Sequence, residues 1–173
     1  MPSPPPGTPD PGLDRAFMAR ALGLARAAGR RGEVPVGALA VQHGRVVAGA
    51  SNRVERLGDS SAHAELLVLG RAARRLGTWR LVGVTLYTTL EPCPMCAGAA
   101  LLARLERLVY GADDPLKGAF RSVYDVLGHP AGNHHPQVVG GCLAADSSAL
   151  LRSFFARLRD DPHPPTGLAN DLC

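Results

Sequence analysis

Long apolar runs are missing from this sequence. No uninterrupted stretch approaches the roughly 20 residues that cross a bilayer, so a helical membrane protein is excluded. Lysine is almost absent too. Of the nineteen basic residues only Lys117 is a lysine, and arginine carries the net charge of +4. Arginine pairs planar donors with phosphate, which suits a nucleic-acid partner without demanding one. The first residues have neither the basic start nor the apolar stretch of a secretory signal. Met1 to Gly12 are dominated by proline and read as a disordered tail, as do residues 161–173. Between the tails, residues 13–160 suffice for one domain. Cysteine is scarce, with four in all, and no internal repeat is visible.

Without a secretion signal the chain is expected in the cytoplasm, where disulfides are rare. A close cysteine pair there reads as metal or redox chemistry. Cys93 and Cys96 form such a pair inside a Pro-Cys-Pro-Met-Cys run. Cys142 and Cys173 take the simpler readings of packing and an exposed thiol.

What is present is a regular alternation of elements. Apolar residues at helical spacing predict a helix from Leu13 to about Arg30, with Asp14 in its first turn. Val34 to Val41 and Arg45 to Ala50 read as a hairpin around Gln42-His43-Gly44. A loop over Gly58 to Ser61 precedes a helix from about Ala62 to Leu76, on which Arg71, Arg74 and Arg75 form a solvated face. Val82 to Thr89 is a strand, and Pro92 opens a helix running to about Leu105. Arg107 to Gly111 is a short strand. Asp113 to His135 is mostly loop, with one helical turn near Val123 to Leu127. Gln137 to Val139 is a last strand, and Asp146 to about Arg159 a last helix. This order predicts an α/β fold, a three-layer α/β/α sandwich with a central mixed sheet. A site is expected where strands run into helices, at Ala62 and at Pro92.

Those junctions carry His63-Ala64-Glu65 and, after 26 intervening residues, Pro92-Cys93-Pro94-Met95-Cys96. Cysteines at i and i+3 in a first helical turn put both sulfurs on one face. The helix N-terminus favours the thiolate, the species that binds zinc. His63 can supply a third ligand. Three protein ligands leave one tetrahedral position open, the mark of a catalytic zinc site. Glu65 need not be a ligand and is suited to moving protons beside it. A lone Cys-x-x-Cys can instead be a thioredoxin-like redox pair, but that leaves the upstream His-x-Glu unexplained. A structural zinc site wants a fourth ligand. Cys142, His134 and His135 are the only candidates, and none sits in a knuckle-like pair. His63 alone would more often be a plain core or surface histidine.

His-x-Glu followed by Pro-Cys-x-x-Cys is the signature of zinc nucleobase deaminases. From about Asp14 to Arg159 the sequence resembles the bacterial tRNA-specific adenosine deaminases of the cytidine/deoxycytidylate deaminase superfamily. The resemblance is carried by Glu33-Val34-Pro35-Val36-Gly37, Asn52-Arg53 and Ala62-His63-Ala64-Glu65. It continues in Thr89-Leu90-Glu91-Pro92-Cys93, Met95-Cys96-Ala97-Gly98-Ala99, Tyr110-Gly111-Ala112 and Asp114. Downstream lie Asp125-Val126-Leu127, Asn133-His134 and Phe154-Phe155.

The resemblance implies a cytidine-deaminase-like fold, one zinc per subunit on His63, Cys93 and Cys96, and Glu65 as proton shuttle. It implies that Asn52 hydrogen-bonds the base, with Val36 and the Ala64 backbone lining its pocket. Asp114 and Asn133 would contact anticodon nucleotides, and Arg157 and Arg159 the RNA backbone. The partner would be a tRNA anticodon stem-loop, the product inosine at the wobble position, and the assembly a homodimer. Two alternatives stand beside this: a deaminase of a free base or nucleoside of guanine or cytosine type, and a zinc-stabilised binding module. Glu65 argues against the second, because a purely structural site has no use for that carboxylate. The chain departs from the family pattern in Pro115-Leu116-Lys117-Gly118-Ala119-Phe120-Arg121, in Ser60-Ser61, and in an acidic, proline-rich end where relatives carry lysines.

Overall fold

The computed structural model describes residues 11–127 and 133–160. The elements run α1 (Pro11–Gly29), β1 (Gly37–Gln42), β2 (Arg45–Ser51), α2 (Val54–Leu57), α3 (Ala64–Leu76), β3 (Val84–Leu90), α4 (Pro94–Leu102), β4 (Arg107–Ala112), β5 (Gln137–Val139) and α5 (Ala144–Asp160). The five strands form one mixed sheet in the order β2-β1-β3-β4-β5. β1 is antiparallel to both β2 and β3, while β3, β4 and β5 are parallel. Helices cover both faces, so the expected three-layer α/β/α sandwich is what forms.

Strand alternation decides which helix each side chain meets. Ala38 and Ala40 of β1, Leu86 of β3, and Leu108 and Tyr110 of β4 pack with Ala64, Val68 and Ala72 of α3 and Ala97 and Ala100 of α4. The residues between them, Leu39, Val41, Tyr87 and Val109, pack with Phe17, Met18 and Ala21 of α1. Gly37 lets α1 lie close on β1. A Cβ there would collide with the Ala21 carbonyl and the Ala25 amide. Across this face Asp14 forms a two-pronged ion pair with Arg107, at 2.6 and 2.7 Å, and accepts the Tyr87 hydroxyl at 2.8 Å. Burial opposes the Asp14 charge, but hydrogen bonds from Arg107 and then Tyr87 outweigh it and hold the carboxyl below its usual range.

Several boundaries differ from expectation for identifiable reasons. Helix α1 starts at Pro11, so Pro11 and Gly12 belong to it; the rest of the expected tail, and residues 161–173, lie outside the described residues. β1 starts only at Gly37, because Val34 to Val36 turn locally, with the Val36 N–H on the Val34 carbonyl at 2.8 Å. Four residues after β2 form the unexpected helix α2, closed by Gly58 in the left-handed conformation (φ 58°). Pro92 stands outside α4. Cys93 is its N-cap, Pro94 its first residue, and the helix stops at Leu102, with Arg104 left-handed (φ 59°). Arg71 is half-buried and donates through Nη1 to the Gly49 carbonyl at 2.5 Å, whereas Arg74 and Arg75 are exposed as expected. No helical turn forms at Val123 to Leu127; instead Val123 and Tyr124 donate to the Gly118 carbonyl and Val126 to that of Ala119. No helix among the described residues is long and apolar enough to cross a membrane.

Candidate metal centre and active site

The carboxyl end of the central strand β3 and the N-termini of α3 and α4 meet at one end of the sheet, the usual place for a site in such folds. Register brings Val36 and Asn52 there as well. Gly37 pairs with Ser51, and Ala38 pairs with Thr88 near the end of β3. His63 is the N-cap of α3 and Cys93 the N-cap of α4, each with extended backbone. Cys96 follows one turn later. The Nδ1 atom of His63 lies 3.7 Å from Cys93 Sγ and 3.5 Å from Cys96 Sγ, and all three ligand atoms fall within 4.8 Å of one another. Zinc in tetrahedral coordination, at about 2.3 Å from sulfur and about 2.0 Å from nitrogen, would set those N–S separations near 3.6 Å. The donor set therefore fits zinc in both chemistry and spacing.

Electrostatics agree. The Cys93 thiol is drawn down to about 4, first by a hydrogen bond from Cys96 and also by His63. It is a thiolate at neutral pH, the form that binds a metal. Cys96 is pushed up by donating a hydrogen bond to Cys93 and by burial; a coordinated metal removes its proton. His63 is raised, chiefly by Cys93. Glu65, the second residue of α3, is buried and accepts from the Thr88 hydroxyl at 3.3 Å. Burial pushes its carboxyl up, as befits a group that must hold a proton and release it.

A cavity of about 410 Å³ opens beside these groups. His63, Cys93 and Glu65 form its floor together with Val36 and Asn52, and residues 113–117 line its loop side, with Leu151 and Phe155 of α5 beyond. Asn52 accepts the Ala64 N–H through Oδ1 at 2.9 Å, which leaves its amide NH2 as the uncommitted half. The Ala64 backbone is thus occupied by Asn52, and Ala64 does not line the cavity. Asp114 does, but its Oδ1 already caps a turn by accepting the N–H groups of Leu116 (3.0 Å) and Lys117 (3.1 Å).

Three expected contact residues are not brought to the cavity. Asn133 is exposed, and its carbonyl accepts Arg104 beyond the far end of α4. His134 meets the Leu105 carbonyl there too. Arg157 and Arg159 are exposed on α5. Helical spacing puts Arg159 one turn beyond Phe155 on the cavity-side stripe and turns Arg157 away from it.

Two buried carboxylates that sequence reasoning left without a role hold the cavity walls. Glu33 accepts the N–H groups of Glu55 (3.2 Å) and Arg56 (2.9 Å) and so fixes α2. Glu91 accepts those of Phe120 (3.0 Å), Arg121 (2.7 Å) and Ser122 (3.1 Å) on Oε1. Its Oε2 takes the Asp114 N–H (3.2 Å) and the Ser122 hydroxyl. Burial alone would raise Glu91; hydrogen bonds from Ser122, then Asp114 and Phe120, hold it below its usual range. The local signal for both was their place in the Glu33-Val34-Pro35-Val36-Gly37 and Thr89-Leu90-Glu91-Pro92-Cys93 runs, which does not show what they bind.

Comparison with known proteins agrees with this geometry. The MafB19-like deaminase family model matches residues 14–159. The tRNA-specific adenosine deaminase of Bacillus subtilis is 46% identical over 146 residues, covering 84% of this chain and 91% of the relative. A chain solved in studies of A-to-I editing by tRNA:A34 deaminases at the wobble position is 47% identical, with a TM-score of 0.76, covering 79% of this chain and 99% of that one. A guanine deaminase from Nitrosomonas europaea is 28% identical, with a TM-score of 0.68, covering 82% and 84%.

Proposed function

This chain belongs to the MafB19-like deaminase family, and from that premise we propose that it hydrolytically deaminates adenosine to inosine at the wobble position of a tRNA anticodon. The observation that carries the chemistry is the convergence of His63 Nδ1 with the Cys93 and Cys96 sulfurs, beside the buried carboxyl of Glu65. The substrate rests on the relatives, which are tRNA-specific adenosine deaminases matched over most of both chains. Guanine deaminase, at lower identity, supports a free base as the second reading.

His63, Cys93 and Cys96 would hold one zinc. When bound, it supplies a Lewis acid that lowers the pKa of a water toward about 7. Glu65 takes the proton of the attacking water and delivers it to a ring nitrogen. Attack at C6 gives a tetrahedral centre; Glu65 then carries the remaining hydroxyl proton to the amine, the C6–N bond breaks, and ammonia leaves as the C6 carbonyl forms. Thr88 fixes the carboxyl during these transfers. Asn52 orients the base through its free amide NH2, Val36 packs on the ring, and the Ala64 N–H acts indirectly by fixing Asn52. Asp114 contacts a neighbouring nucleotide and Arg159 a backbone phosphate, while Asn133 and Arg157, which stand away from the cavity, would meet only RNA farther from the target base. An unpaired anticodon loop spares the unstacking that a duplex demands.

The reading includes a cytoplasmic homodimer, with the exposed Leu102 at the end of α4 as part of its interface. Light scattering should then give twice the 18.1 kDa chain mass; a monomer would refute that assembly. The test of the chemistry is metal analysis with single-turnover assay of variants. Glu65→Ala should keep about one zinc per chain and lose turnover, and Cys93→Ala should lose both. Loss of zinc in Glu65→Ala would contradict the shuttle role.

A further inference from the structure

The walls of the cavity have two origins. Its floor comes from the N-termini of α3 and α4 and from the residues flanking β1 and β2. Its loop side is residues 113–117, all exposed except the half-buried Asp114. No helix or strand supports that segment. Across residues 114–122, four main-chain N–H groups, those of Asp114, Phe120, Arg121 and Ser122, converge on the single carboxylate of Glu91. The Ala119 N–H adds a bond to the Pro92 carbonyl at 2.9 Å. Gly118 is part of the same device, because a Cβ there would run into the Glu91 carboxylate and the Asp114 carbonyl. Glu91 is 1% exposed and stands two residues before Cys93. One anion therefore joins the strand end that delivers a metal ligand to the loop that forms the outer wall.

A base small enough to fit the cavity meets mainly the floor. A polynucleotide must also pass its flanking nucleotides over the loop. We propose that Glu91 is a positioning residue for the polynucleotide substrate, fixing the 113–122 loop so that Asp114 and Lys117 stand where the nucleotides beside the target pass. This rests on the tRNA reading above. Ala119 and Phe120 pack the middle of the loop into the core, and charge-assisted bonds to four N–H groups fix the backbone on either side of them. Glu91→Gln keeps one acceptor but aims an NH2 at the Asp114 N–H or at the N–H groups of 120–122, so part of the anchor is lost. Ser122→Ala removes one bond and leaves the charge.

The experiment measures kcat and KM on an anticodon stem-loop, zinc content, and amide hydrogen exchange over 114–122, for wild type and both variants. Glu91→Gln should raise KM roughly tenfold, the worth of one charged hydrogen bond, with kcat nearly unchanged and zinc retained. The loop amides should exchange faster. Ser122→Ala should move KM and exchange in the same direction by less. Lost zinc or a fall in kcat at unchanged KM would overturn the proposal and tie Glu91 to the metal centre instead. Unchanged KM and exchange would overturn it too. A wild-type enzyme that ignores the stem-loop sinks the substrate reading itself, whereas faster exchange in zinc-replete Glu91→Gln still upholds the anchoring.

Discussion

The side-chain oxygen of Asn52 accepts the backbone N–H of Ala64 at 2.9 Å. The residue that follows β2 thereby fixes the first turn of α3, between His63 and Glu65. Asn52 thus has two jobs that a substitution can separate. Asn52→Asp keeps the oxygen that holds Ala64 and replaces the NH2 that faces the base. It should retain zinc and fold while kcat/KM falls at least about tenfold. Asn52→Ala loses both contacts and should also lower the melting temperature. Equal stability losses in the two variants would refute this division.

Asp14 and Arg107 are partners 93 residues apart, both nearly buried. Breaking such a pair leaves an uncompensated buried charge, so Asp14→Asn should cost about 3–5 kcal/mol. The Asp14 carboxyl is lowered in the folded state. Its stabilisation is therefore present above the unfolded pKa of about 4 and lost as pH falls through the folded value. Glu91, also lowered, has the same sign. Urea unfolding at pH 7 and at pH 3 should show wild type losing more stability on acidification than Asp14→Asn.

Much of this architecture was legible in the sequence because its signals are local. Period-two and helical spacing marked the strands and long helices, and His63, Glu65, Cys93 and Cys96 sit in two short runs at helix N-termini, although α2 and a loop, and not β2 directly, lead into α3. What stayed hidden depends on residues far apart in the chain. Glu33 caps α2 from 22 and 23 residues away, and Glu91 gathers N–H groups 23 to 31 residues downstream. No composition or period encodes either contact. Helix α2, only four residues long, owes its start to Glu33 and not to its own sequence. Asp114 is expected as a nucleotide contact; its Oδ1 caps a turn while the residue lines the cavity.

That double placement makes Asp114→Asn informative. Asparagine keeps the Oδ1 acceptor for the turn, so the loop should stand. What goes is the charge and the second acceptor, which is the atom free for a 2′-hydroxyl. The preference for an RNA stem-loop over its DNA counterpart should narrow. Parallel deamination assays decide it, and an unchanged ratio would assign Asp114 to the turn alone.

The two α5 arginines should separate as well. Arg159 continues the stripe of Leu151 and Phe155, which line the cavity, while Arg157 points elsewhere. Arg159→Ala should weaken stem-loop binding and reduce the slope of log affinity against log salt by about one. Arg157→Ala should do less. Both should keep zinc. The reverse order would place the RNA path on the other side of the helix.

The substrate itself is tested most directly by one comparison: turnover of a tRNA anticodon stem-loop against free adenosine, guanine and cytosine, under the same conditions, with inosine and ammonia measured. The cavity floor of His63, Cys93, Glu65 and Asn52, walled by the Glu91-anchored loop, should convert the wobble adenosine far faster than any free compound. Equal or better turnover of a free base or nucleoside would contradict the tRNA reading.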